Sequence, residues 1–147
     1  MLGHAEIAAR IPHGGRMCLL DRVLDWDATR IRCATASHRD IDNPLREPNG
    51  LPVWAGIEYA AQAVAVHGAL LSDSRQPRSG VLGKLRKVQP GCEWLDRIAS
   101  ELEVCADLLH RDPAGGIYAF AARGDGALLL QGQFTLVFTG SAPAVAR

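Results

Sequence analysis

Neither sign of charge is in surplus in this sequence: Lys and Arg total 16, and Asp and Glu total 16, over 147 residues. A chain without a net field has no general affinity for nucleic acid or for an anionic membrane surface, so a charged partner must be met by a local patch. Cysteine is sparse, and Cys18, Cys33, Cys92 and Cys105 lie far apart. With no Cys-x-x-Cys pair and no secretory leader pattern ahead of them, they read as reduced thiols in a cytoplasmic protein, mostly core filler. No apolar run spans a bilayer without interruption, because Glu58, Gln62 and His67 punctuate the longest one. Internal repeats and low-complexity segments are missing, and His and Cys have no metal-ligand spacing, so no metal and no cofactor is expected.

What is there fits one domain, residues 1–140, followed by a frayed Ala-rich tail, 141–147. A chain of this length buries roughly two-thirds of the surface its unfolded form exposes. "HAEIAARIPHGG" carries Ile7, Ala8 and Ile11, enough for one short helix stopped by Pro12 and the glycines after it. "MCLLDRVLDWD" and "RIRCATASH" are branched and aromatic and flank the turn-like "DATR", which predicts a hairpin. Residues 39–51, with two Pro, two Asn and a Gly, form an irregular loop. From Val53 to Leu71 the pattern is apolar on all sides, a helix opened by Pro52.

After "SDSRQPRSG" the period becomes two. In "GVLGKLRKVQP", Val81, Gly83, Leu85 and Lys87 fall on one face, and Leu82, Lys84, Arg86 and Val88 on the other. "RIASELEVCADLL" alternates, and "GIYAFAAR" and "ALLLQGQFTLVF" flank Asp125-Gly126, a pair that tight hairpins favour. The order is strand, strand, helix, four strands. A helix apolar around its whole circumference must be buried on most faces, and one sheet achieves this by curling around it while a second copy covers the remaining side. This is the α+β hotdog fold, an antiparallel sheet wrapped around one long central helix, and it predicts a dimer.

"RIPHGGRMCLLDRVLDWD" resembles the opening of the 3-hydroxyacyl-acyl-carrier-protein dehydratases of fatty acid synthesis. "PVWAGIEYAAQA" resembles the start of their central helix, where a Glu and a Gln stand four residues apart, and "KLRKVQPG" their Arg-rich strand closed by Pro-Gly. The matches run in order over residues 10–92, and "LPVW" with "GIEY" is similar to the dehydratase-like hotdog subunit of aryl polyene pigment clusters. The resemblance implies removal of water from a (3R)-hydroxyacyl thioester on an acyl carrier protein. That chemistry needs a base for the C2 proton, an acid for the departing hydroxyl, and donors for the carbonyl oxygen.

Carried over by position, Glu58 is the acid, the Gly56 amide is the carbonyl donor, and Gln62 shares the helical face of Glu58. Trp54 becomes a wall of the acyl tunnel or a core residue. Leu51 stands where the family has its catalytic His, so the base is not copied across. His67 lies nine residues past Glu58, about 13.5 Å along the helix and on nearly the opposite face. That leaves His38 as the candidate base within the chain, or a second hotdog subunit as the source of the His, so a homodimer and a heterodimer both stay open. Arg75, Arg78, Lys84, Arg86 and Lys87 bracket the helix end and the next strand. They are either a solvated edge or a docking patch for an acidic carrier protein. Two other functions fit the same residues: an acyl thioesterase, in which the helix carboxylate activates water, and a non-catalytic acyl-binding subunit.

Overall fold

A computed structural model describes residues 2–11, 17–72 and 80–138. His13, Arg75, Arg78 and the tail at 141–147 lie outside them. The chain opens with a two-residue strand β1 (Leu2–Gly3) and a short helix α1 (His4–Ala8), whose Ile7 is buried. The expected hairpin follows as β2 (Arg22–Trp26) and β3 (Arg30–Thr35). Then come the long helix α2 (Gly56–Leu71) and four strands, β4 (Gly80–Pro90), β5 (Leu102–Asp112), β6 (Gly115–Gly124) and β7 (Ala127–Phe138).

All seven strands form one antiparallel sheet in the order β1-β2-β3-β5-β6-β7-β4. The β6–β7 turn uses positive φ at both Asp125 (50°) and Gly126 (74°), as an Asp-Gly hairpin requires. The sheet curls around α2. Tyr59, Ala60, Ala63, Val64 and Val66 on the helix meet Ile31, Val104, Tyr118, Phe120, Leu130 and Phe134 on the strands in one buried core. The rings of Phe120 and Phe134 stack at 4.5 Å.

One expectation changes. Along β4 the alternation does not run unbroken, because bulges interrupt its register against β7 between Leu82 and Lys84 and between Arg86 and Gln89. Lys87 sits in the second bulge at φ 55°, and the strand's facing resets beyond it. The helix α2 is buried on most faces, as expected, and not all round. Ile57, Glu58, Ala61, Ala65 and Gly68 form a half-buried stripe on the side that the sheet does not cover. Among the described residues no helix is long and apolar enough to cross a membrane.

Candidate active site

The loop before α2 delivers the helix through a short paired segment. Val53 N–H donates to the Glu93 carbonyl and Leu95 N–H to the Leu51 carbonyl, at 3.0 and 2.8 Å. Gly50 adopts φ 131°, and a Cβ there would lie 2.6 Å from the Asp96 carboxylate that accepts the Leu51 amide. Leu51, at the family's histidine position, is fully buried. Residues Val53–Ala55 wind as one 3-10 turn into α2. The Gly56 amide donates within that turn toward the Val53 carbonyl, so in this conformation it is committed to the helix. Gly56 itself is packed so closely that a Cβ would come 2.7 Å from Leu130 Cδ2. Trp54, in the same turn, is 52% exposed, a surface ring and not a core one.

Glu58 stands on the first turn of α2, half-buried, and its Oε2 accepts a hydrogen bond from Gln62 Nε2 at 3.1 Å. Gln62, only 1% exposed, is a clamp. Its Oε1 accepts from Leu19 N–H at 2.8 Å and its Nε2 donates to the Met17 carbonyl at 2.5 Å. Both ends of the amide are used, so the side chain has one orientation and holds the carboxylate against a fixed backbone.

Leu19 is gripped from the other side as well. Thr35 Oγ1 and Ser37 Oγ both donate to its carbonyl, at 2.6 and 2.7 Å. Tyr59 hydroxyl lies 2.8 Å from Ser37 Oγ and accepts from Asn43 Nδ2 at 2.9 Å. With Ser37 donating to Leu19, the Tyr59 hydroxyl donates to Ser37, and burial pushes its pKa up to about 12, which keeps that proton in place. This network ties the helix residue after Glu58 to the irregular loop. Sequence reasoning passed over it, because Tyr59 lies in an apolar run and Asn43 in a loop. The one available signal was a single Tyr hydroxyl within a largely apolar run.

The two histidines weighed for proton transfer are held elsewhere. His38 lies in a 3-10 turn, Ser37–Arg39, fully buried, with Nε2 3.0 Å from the Ile98 carbonyl. Its Nδ1 has no hydrogen-bond partner among the described residues, and burial pulls its pKa down. It fastens this turn to the segment before β5. His67 is fully buried between β2 and β6: Nε2 lies 2.7 Å from the Asp27 carbonyl and Nδ1 2.8 Å from the Tyr118 hydroxyl. The carbonyl can only accept, so Nε2 carries the proton and Tyr118 donates to Nδ1. Burial again lowers the pKa and keeps the ring neutral.

Lys84, Arg86 and Lys87 are exposed on β4, an edge of the sheet. Among the described residues no three His, Cys, Asp or Glu side chains are grouped to hold a metal ion.

One long helix wrapped by an antiparallel sheet, with a carboxylate on its first turn, defines a hotdog protein. The fold matches the dehydratase heterocomplex ApeI:P from Xenorhabdus doucetiae with a TM-score of 0.79, at 23% identity over 93% of each chain. It also matches a mutant thioesterase from Pseudomonas aeruginosa, with a TM-score of 0.59 at 15% identity over 79% of this chain and 78% of that one. A hypothetical thioesterase with coenzyme A from Streptococcus pneumoniae matches with a TM-score of 0.61 at 13% identity, over 81% and 85%. At such identities the likeness establishes the fold. None of the curated proteins matches the chain. The chain belongs to the ApeP-like family, whose model, described as ApeP dehydratase, matches residues 5–143. It is a hotdog dehydratase of the aryl polyene type, the class its helix motif resembles.

Proposed function

We propose that this chain is one half of a two-subunit dehydratase that removes water from a 3-hydroxyacyl thioester on an acyl carrier protein, with Glu58 as its proton-transferring carboxylate. The observation that carries the reading is the clamp: a half-buried carboxylate on the first turn of a buried helix, held by a Gln whose remaining groups are spent on the backbone of Met17 and Leu19. In the reaction the C2–H bond breaks and its proton goes to a base. The C3–O bond breaks as Glu58 protonates the leaving hydroxyl, and a 2-enoyl thioester and one water result.

The base is assigned to a histidine of a second hotdog subunit. His38 is fully buried with its Nε2 on the Ile98 carbonyl, His67 is satisfied by Asp27 and Tyr118, and position 51 carries a buried Leu. The subunit seats on the stripe Ile57, Ala61, Ala65 and Gly68, and small residues there let two helices approach closely. That ApeI:P is a heterocomplex supports a heteromeric assembly over a homodimer. The exposed cations Lys84, Arg86 and Lys87 receive the acidic carrier protein, and Trp54 and the backbone near Gly56 border the acyl group.

The test is mass spectrometry of a 3-hydroxyacyl carrier protein incubated with the chain, alone and with its hotdog partner, wild type beside Glu58→Gln. Loss of one water only when both subunits are present, and only with Glu58, is the expected result. Release of free acid identifies a thioesterase instead. Dehydration unimpaired in Glu58→Gln makes this chain a binding subunit.

A further inference from the structure

The clamp on Glu58 is only as fixed as the backbone it grips. Gln62 Oε1 accepts from Leu19 N–H, yet Leu19 belongs to no strand or helix and lies in the connection between α1 and β2. Without a sheet ladder to fix it, its remaining backbone group must be held by side chains. Ser37 is where they converge. Its N–H donates to Thr35 Oγ1 at 3.0 Å, and its carbonyl accepts from Asn43 Nδ2 at 2.8 Å. Its Oγ donates to the Leu19 carbonyl at 2.7 Å and accepts from the Tyr59 hydroxyl at 2.8 Å.

Asn43 is saturated in turn: its second amide hydrogen goes to the Tyr59 hydroxyl at 2.9 Å, and its Oδ1 accepts Leu45 N–H at 2.9 Å. The donors therefore run one way, from Asn43 through Tyr59 and Ser37 to Leu19, and neither hydroxyl can turn without leaving a partner short. Thr35, fully buried, adds a second donor to the same carbonyl. Leu19 is thus held at both ends, its carbonyl by Ser37 and Thr35 and its N–H by Gln62, which donates on to Glu58 Oε2 at 3.1 Å.

We propose that Ser37 is a positioning residue for the dehydration: acting through Leu19 and Gln62, it sets where the Glu58 carboxylate stands. The inference rests on Glu58 as the proton-transferring group, whose misplacement costs rate more than affinity. The test is a double-mutant cycle in the complete two-subunit enzyme, with kcat and KM for water loss measured for Ser37→Ala, Gln62→Leu and the pair. Ser37→Ala is expected to lower kcat about tenfold with KM unchanged. It adds nothing in the Gln62→Leu background, where the route to Glu58 is already cut. Ser37→Thr keeps the hydroxyl, and the cavity of about 370 Å³ that Ser37 lines has room for the added methyl, so this variant restores turnover. If Ser37→Ala does not fold, Thr35→Val, which removes the other donor to the Leu19 carbonyl, is read in its place. A second readout needs no catalysis. The Gln62 side-chain NH₂ protons, followed by NMR in the full chain, should exchange slowly with water in wild type and Ser37→Thr, and faster in Ser37→Ala. Additive losses in the pair, a raised KM at unchanged kcat, or Gln62 protons unaffected by Ser37→Ala overturns the proposal. Dehydration unimpaired in Glu58→Gln is a failure of the functional reading instead, and the Gln62 protons then decide by themselves whether Ser37 fixes the clamp.

Discussion

The two polar clusters on α2 are built alike and left in different states. Gln62 and His67 stand five residues apart on one helix, both are buried, and each ties the helix to the backbone of a segment some 40 residues earlier in the chain. The His67 cluster is closed: two nitrogens, two partners, a neutral ring, and Trp26 and Tyr118 edge-on around it. The Gln62 cluster ends on Glu58, a carboxylate that is half-buried and can meet what lies beside the helix. A buried polar group whose valences are all met contributes to structure. One that holds an ionisable group at the edge of the core contributes geometry to chemistry.

The sharpest way to break this comparison is Glu58→Gln. In the complete enzyme it should lower the rate of water loss by about 10²- to 10⁴-fold, the usual worth of a positioned proton donor. Its unfolding midpoint should move little, because the side chain is only half-buried. A rate within a few fold of wild type would place the chemistry elsewhere. Gln62→Leu should act on both counts. It strands the Leu19 N–H and the Met17 carbonyl, costing about 2–4 kcal/mol in urea denaturation, and it slows turnover by releasing Glu58. Loss of stability with full turnover in the folded fraction would show that Glu58 needs no clamp.

His67→Phe should cost about 1–3 kcal/mol through the unpaired Tyr118 hydroxyl and Asp27 carbonyl, yet leave the rate of the folded enzyme unchanged. A rate deficit would mean that the closed cluster is not closed. The smallest effect is on pH. His38 and His67 are both held neutral by burial, with pKa values below the ordinary one. The unfolded chain therefore binds more protons than the folded chain at mildly acid pH. Stability is fully present above the unfolded value near 6.5 and falls as pH drops toward the folded values. Denaturation midpoints compared at about pH 7 and about pH 5 should show this loss, and His67→Phe should remove part of it. Midpoints independent of pH over that window would contradict the neutral assignment.

Much of this was legible in the chain. The change of period at residue 80, the Asp125-Gly126 turn and the all-round apolar run at 53–71 place the strands and the helix where they are found. The Glu58 and Gln62 pair at i, i+4 put the clamp and the carboxylate on one helical face. Less legible was what each polar side chain would meet. His38 reads as a strand-end residue poised for a proton, and the structure buries it fully with Nε2 on the Ile98 carbonyl, 60 residues on. Along β4, two bulges and the turned Lys87 left no mark in the alternation. Arg75 and Arg78 lie outside the described residues.

By itself the sequence determined the hotdog class, the element order and the single acidic residue of the helix, because periodicity and local turn chemistry depend only on neighbours a few residues apart. The tertiary structure alone decided that β4 lies at the sheet edge, that Leu19 is held by α2 on one side and β3 on the other, and that one helix carries one fully buried polar cluster and one that ends on a half-buried carboxylate. Those outcomes depend on hydrogen bonds across 16 to 60 residues of chain. Such bonds form only where packing brings the groups within about 3 Å, and no local pattern encodes that distance.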